Sequence, residues 1–405
     1  MASHHNTIPE LAHRLQQPAI ARRQRLYKIV AILFLISLLL SVIATPFVRA
    51  HLQAVAVLDL VAGKPVPWLV RQTVAEPIST QDFTLPTSNG PIRARLYIPQ
   101  SHPDAPAIIV LHGVHHLGID EPRLIAFSTA MASCGLRVLT PELPDIKDYH
   151  VGANSIATIG DSAVWMSQHQ DNKSVGVMGL SFAGGLALLA ASDPHWHRSI
   201  KFVVAIGSQD EMARVATFYR TGEDPLPTGD PERLTPHEYG ALVLEYEHLE
   251  DFIPAGDPAS LAAIRNVLRA HLYEDWPGEK AVLATLTPAQ LAIAHQLMDT
   301  TSPTTRSLLA HAETLHIEDM AGVSPHGHLK QLTTPVYLLH GAGDNIIPSA
   351  ETEWMATELP AASLQAELIS PVLSHINLDG ANPTAMDQWR LVHFFALILH
   401  AAESH

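Results

Sequence analysis

Short, uninterrupted apolar runs set the rhythm of this chain. Ala107 to Leu111 (AIIVL), Leu136 to Thr140, Ser174 to Leu180 (SVGVMGL) and Lys201 to Gly207 each read as a strand buried on both faces. Helical periodicity fills the gaps at Pro122 to Ser133, Ser155 to Gln168 and the small-residue stretch Ser181 to Ala191. Gly135 sits where the first of these helices must stop. Upstream, Phe83 to Pro86 and Ile92 to Pro99 are two strands around the turn Ser88-Asn89-Gly90. Downstream, Pro335 to His340 (PVYLLH) and Leu364 to Ile369 are further strands, and Asp387 to His400 is a closing helix. Strands alternating with helices predict a largely parallel sheet covered on both sides.

Between Ser208 and Leu332 the pattern changes. No buried strand is visible there, and four helix starts repeat one chemistry: Thr235-Pro236, Asp257-Pro258, Thr287-Pro288 and Ser302-Pro303. In each, a side-chain oxygen that can cap the helix precedes a Pro whose missing N–H costs nothing in the first turn. Glu238 and Gln290 complete capping boxes with Thr235 and Thr287. Because the sheet pattern resumes afterwards, residues 209–332 are expected to be a helical cap inserted between core segments 82–208 and 333–405.

Charge divides the chain. There are 25 Lys+Arg against 40 Asp+Glu, a net of −15, which argues against a nucleic-acid partner. The apolar fraction of 47% excludes general disorder. Yet Arg22, Arg23, Arg25 and Lys28 crowd ahead of an uncharged run over 29–48. Twenty residues at ~1.5 Å each match a hydrocarbon core of roughly 30 Å. The expectation is a single-pass anchor at 29–48, with 1–28 cytoplasmic by the positive-inside bias and 49–81 a juxtamembrane connector. The catalytic domain would then lie on the extracytoplasmic side. The alternative is secretion after cleavage near Ala50. The lone Cys134 rules out an intramolecular disulfide and any multi-cysteine metal site, and it reads as a packed residue.

The strand SVGVMGL runs directly into Gly179-Leu180-Ser181-Phe182-Ala183-Gly184-Gly185 and a helix. A nucleophile on such a turn needs small residues two positions either side, and Gly179 and Ala183 occupy them. The helix N-terminus behind Ser181 favours negative charge developing there. Together with Leu111-His112-Gly113-Val114 and the block from Leu339 to Pro348 (LHGAGDNIIP), this elbow makes residues from about 82 to 400 resemble the α/β-hydrolase superfamily. The likeness is to its esterase, lipase and dienelactone-hydrolase-like part. Ala183 departs from the commoner Gly, and the long cap and the anchor are not general to the family.

The resemblance implies a triad in the order Ser, Asp, His. It places the acid at Asp344, just after a late strand, with Asp210 after FVVAIGS as the alternative. His375, 31 residues beyond Asp344, is the expected base, while His393 and His400 in the closing helix read as structural. The backbone N–H groups of Phe182 and Val114 would form the oxyanion hole. His112 is expected to support the Val114 loop, and His115 and His116 either line the mouth of the site or form an exposed pair. None of His112, His115, His116, His195, His197, His326 or His328 falls in a zinc-protease pattern, and the chemistry calls for no metal and no cofactor.

The expected function is a serine hydrolase of small carboxylic esters, working through an acyl-enzyme. The Leu, Ala and Val content of the cap points to a moderately apolar ester. An acyltransferase or peptidase of the cell envelope using the same triad remains an alternative. So does a non-catalytic binding protein, against which stands the presence of Ser181, Asp344 and His375 together. Oligomeric state is not legible.

Overall fold

The computed structural model describes residues 28, 30–35, 45–254, 256–375, 377–380 and 382–404. Its strands are β1 (Ile78–Leu85), β2 (Ile92–Pro99), β3 (Ala107–Leu111), β4 (Arg137–Pro141), β5 (Val175–Leu180), β6 (Ile200–Ile206), β7 (Glu223–Pro225), β8 (Pro231–Arg233), β9 (Val336–Gly341) and β10 (Leu364–Ser370). Eight of them form one sheet in the order β1-β2-β4-β3-β5-β6-β9-β10. The β1–β2 and β2–β4 pairs are antiparallel, and all pairs from β4–β3 to β9–β10 are parallel.

Alternation along each central strand feeds two cores. Ile109 and Leu111 of β3 face one core, with Ile159 and Met166 of the helix Asn154–Gln168 and Leu186 of the helix Phe182–Ser192. Ile108 and Val110 face the other, with Met131 of the helix Pro122–Ser133 and Phe394 of the helix Ala385–Glu403. Each wholly buried Ile or Leu contributes ~1.5–3 kcal/mol. A strand apolar on both faces is stable only between two such helical layers.

The sequence places β1 five residues too late, starting at Phe83 where the structure starts at Ile78. The missing half is exposed and held by backbone pairing to β2, from Ile78↔Pro99 onward, so it carries no hydrophobic signal.

The membrane expectation is overturned. Among the described residues no helix is long and apolar enough to cross a membrane. The single-pass anchor, and the extracytoplasmic placement that followed from it, are therefore not upheld. Residues 1–27, 29 and 36–44 of the expected N-terminal segment and span lie outside the described residues. The last residues of that span, 45–48, are helical, as is the chain on to residue 61, and this helical stretch docks on the domain. Its small face, Ala50, Ala54, Ala56 and Val57, is buried in the second core. Gln53 Nε2 donates to Cys134 O at 2.6 Å, and the rings of His51 and His393 meet at 3.0 Å. Ala50, where the alternative reading placed cleavage, lies buried inside this helix. Cys134 is packed beneath it, and burial pushes its thiol up to about 11.

Between β6 and β9 the chain builds the helices Met212–Thr221, Glu238–Glu247, Pro258–Leu272, Trp276–Leu283, Pro288–Met298, Pro303–Leu315 and Ile317–Gly322. Asp257, Thr287 and Ser302 cap three of these through their side-chain oxygens, and Gln290 closes the box with Thr287. The expected start at Thr235-Pro236 is not used. Leu234 N–H is held by Gly222 O and His237 N–H by Asn345 O, which keeps this stretch extended. The helix begins at Glu238, capped by the His237 ring, and no box forms between Thr235 and Glu238. The β7–β8 ribbon, short and polar, gave no sequence signal.

Candidate active site

Ser181 stands between β5 and the helix Phe182–Ser192 with φ 56° and ψ −138°, a conformation that L-residues rarely adopt. Three hydrogen bonds hold it there. Ser181 N–H donates to Ile206 O at 2.8 Å, and Ser181 O accepts from Ser208 Oγ at 2.7 Å and from Gly184 N–H at 3.0 Å. A Cβ on Gly179 would overlap the Gly184 backbone, so the close approach of strand and helix depends on that glycine.

His375, on the loop after β10, lies with Nε2 3.0 Å from Ser181 Oγ. Its Nδ1 is 2.5 Å from Asp344 Oδ2. Asp344 follows β9, is buried, and turns Oδ1 toward the N–H groups of Ile346 and Ile347 at 2.9 and 3.0 Å. Burial alone would raise its pKa; the facing His375 and His340 outweigh that and hold the carboxyl well below the usual range. The structure thus brings Ser181, His375 and Asp344 together.

Asp210, the alternative acid, is elsewhere: its Oδ2 accepts from Arg214 Nη2 at 2.9 Å and from His326 Nδ1 at 3.0 Å. Burial and the neighbouring Glu351 push Asp210 up to about 6 and Asp224 up to about 9, with Arg214 the cation among them.

Sequence reasoning missed His340. Wholly buried in β9, it bonds Thr352 Oγ1 through Nδ1 at 2.7 Å and donates from Nε2 to Ile347 O at 2.8 Å. Nε2 also lies 3.3 Å from Asp344 Oδ2. Burial lowers its pKa, but the Asp344 carboxylate prevails and raises it. The signal was present as a His four residues before the acid, but its meaning depends on the turn that folds Asp344 back.

Gly113 abuts the nucleophile: a Cβ there would stand 3.2 Å from Ser181 Cβ. His112 Nε2 accepts Leu143 N–H at 2.9 Å, so Nδ1 carries the proton and donates to Gly113 O at 2.8 Å. Burial lowers the His112 pKa to about 4, keeping that tautomer neutral. In a trans peptide C=O and N–H point oppositely, so anchoring Gly113 O fixes the direction of Val114 N–H. Phe182 N–H is among the four donors that helix geometry leaves free at an N-terminus.

No family model matches the chain. It is similar to a pimeloyl-[acyl-carrier protein] methyl ester esterase of Aromatoleum aromaticum, 28% identical over 262 residues that cover 64% of this chain and 88% of the relative. Among solved structures, brefeldin A esterase is 15% identical with a TM-score of 0.47, covering 82% of this chain and 79% of its own. A Pyrobaculum calidifontis esterase is 16% identical with a TM-score of 0.41, covering 87% and 91%. A 2-hydroxy-6-oxo-6-phenylhexa-2,4-dienoate hydrolase of Rhodococcus is 16% identical with a TM-score of 0.40, covering 78% and 99%. The strand order and the strained serine between β5 and its helix decide the architecture.

The fold is that of the α/β-hydrolases.

In this hydrolase fold a cavity of 490 Å³ opens over Ser181 and His375. Gly113, Val114 and His115 line it from the core, and His237, Tyr239, Leu272 and Glu274 from the segment between β6 and β9. Glu121, Arg123 and Asn377 complete a mixed polar wall with Ile346. Of the cap's apolar side chains, Leu272 reaches the cavity, while Leu242, Leu244, Ile264, Val267 and Leu268 pack into the first core. His115 lines the cavity; His116 stacks on Tyr273 at 4.2 Å instead.

Among the described residues two groups could gather ligand atoms for an ion, His248-Asp251-His316 and Asp210-His326-Glu358. Neither includes a residue that lines the cavity. The His248 and His316 rings lie face to face, 3.6 Å apart and 14° from parallel, so one ion cannot lie in both ring planes.

Proposed function

We propose that this α/β-hydrolase cleaves small carboxylic esters by acyl transfer to water, with Ser181 as nucleophile, His375 as base and Asp344 as the acid that orients it. The curated relative supports an ester-acting hydrolase. The observation that carries the assignment of roles is the 3.0 Å contact of Ser181 Oγ with His375 Nε2, made by a serine held at φ 56°.

Ser181 Oγ attacks the ester carbonyl carbon as His375 Nε2 takes its proton. Asp344, ionised across the neutral range, stabilises the imidazolium so formed and holds its Nδ1–H. The N–H groups of Phe182 and Val114 receive the carbonyl oxygen as it becomes negative. Collapse breaks the bond to the alcohol oxygen, which leaves with the proton from His375. Water then gives a proton to His375 and attacks the acyl-enzyme; the acid departs and Ser181 regains its proton. No step needs a metal or cofactor. The mixed lining of the cavity favours a small ester with polar substituents over a long alkyl chain.

The test is hydrolysis of a panel of p-nitrophenyl esters of rising acyl length by the full chain, with and without a competing alcohol. Saturable hydrolysis of the short esters, lost in Ser181→Ala and His375→Ala, is expected. Turnover that survives Ser181→Ala would contradict the reading, and dominant transfer to the alcohol would make the enzyme an acyltransferase.

A further inference from the structure

The loop after β3 is pinned at two successive peptides, those that follow Gly113 and Val114, by side chains from different parts of the fold. His112 Nδ1 holds Gly113 O at 2.8 Å. Tyr239 OH donates to Val114 O at 2.7 Å. The first pin comes from the core. The second comes from the helix Glu238–Glu247, in the segment between β6 and β9.

We propose that Tyr239 is a positioning residue through which the inserted helices set the oxyanion hole. The inference rests on the reading of Ser181 and Val114 given above and deepens it. Val114 lies between two rigid peptide planes. His112 fixes the plane that carries Val114 N–H, and Tyr239 fixes the plane that follows. With both held, the two dihedrals between them have no freedom, and Val114 N–H keeps one direction. With only the first held, the loop beyond Val114 can swing and carry the donor off line. An oxyanion donor acts by being in place before charge develops, so loss of a pin is paid in the transition state and not in substrate binding. Seating of the inserted helices and completion of the hole are then one event. Tyr239 also lines the cavity, so a bound substrate presses on the group that holds the loop.

Steady-state kinetics and boronate affinity of Tyr239→Phe, in the full chain, test this. An alkyl boronic acid bonds boron to Ser181 Oγ as the serine proton passes to His375, and places a boron-bound oxygen in the hole. Complete removal of an oxyanion donor lowers kcat by about 10²–10³, so misaligning one should lower it about tenfold. Tyr239→Phe is expected to lower kcat and boronate affinity by the same factor of about ten, with KM within about twofold of wild type. Tyr246→Phe, on the same helix with its ring over Arg265, should match wild type in all three. If Tyr239→Phe does not fold, His112→Leu releases the adjacent peptide plane and should lower kcat and boronate affinity together. Unchanged kcat and boronate affinity would overturn the role of Tyr239, as would a fall in kcat with no loss of boronate affinity. A wild-type protein that neither hydrolyses esters nor binds the boronate would overturn the serine-esterase reading itself, and this inference with it.

Discussion

His340 Nε2 stands 3.3 Å from Asp344 Oδ2, the same oxygen that meets His375 Nδ1. Asp344 is therefore held between two imidazoles, one facing the serine and one buried behind the strand. The Ile346 and Ile347 amides fix its other oxygen.

His340→Gln removes one of those imidazoles. Losing ~1.4 kcal/mol of orientation corresponds to a tenfold lower rate, so kcat should fall about tenfold with KM little changed. The His340 pKa is raised in the fold. The stability it brings is complete below about pH 6.5 and fades as pH rises through its folded value. Urea unfolding should therefore show the variant's deficit shrinking toward alkaline pH.

Gly341 closes β9 directly beneath the loop that carries His375, and a Cβ there would overlap Ser374 O. Gly341→Ala must move that backbone. Ester turnover should drop by about 10² or more, in line with the cost of displacing a catalytic group by about 1 Å. Far-ultraviolet circular dichroism should stay that of the wild type.

His112 is neutral in the fold and chargeable once unfolded. Its pKa falls from 6.5 to about 4 through burial, so protonation favours the unfolded chain. The stability at stake is present above about pH 6.5 and is lost as pH falls toward 4, in total ~3 kcal/mol. Denaturant titrations at several pH values should show this slope in wild type and a shallower one in His112→Gln. Equal slopes would show that His112 does not titrate as a neutral buried base.

Much of the fold was legible because a strand buried on both faces writes a continuous apolar run. β3 falls where such a run puts it, β2 where the preceding Ser88-Asn89-Gly90 turn puts it, and the helix Pro122–Ser133 where its helical period puts it. The exposed half of β1 left no trace, since its partner is the β2 backbone. The docking of the helical residues 50–57 was not legible, because their alanine face packs on residues far away in sequence, such as Cys134 and Phe394. Within the site, the serine elbow is a local pattern with a local cause. His340 and Tyr239 act across 4 and 125 positions of sequence, through turns and helix placement that no local pattern encodes.

Glu245 lies wholly buried in the helix Glu238–Glu247, with both carboxyl oxygens lacking a hydrogen-bond partner among the described residues. Burial raises its pKa well above the usual value. The folded chain thus keeps a proton that the unfolded chain releases above about pH 4.3, and stability falls as pH rises beyond that. Glu245→Met should stabilise the protein by ~1–3 kcal/mol at neutral pH, with a gap that widens toward alkaline pH in thermal melts.

The central claim is that Ser181 is an activated nucleophile. Its most direct test is fluorophosphonate labelling of the full chain, with the modified residue mapped by mass spectrometry beside Ser181→Ala and His375→Ala. A single adduct is expected on Ser181, absent from the first variant and strongly slowed in the second. An adduct on another residue, or a folded wild-type protein that takes up no label while hydrolysing esters, would contradict it.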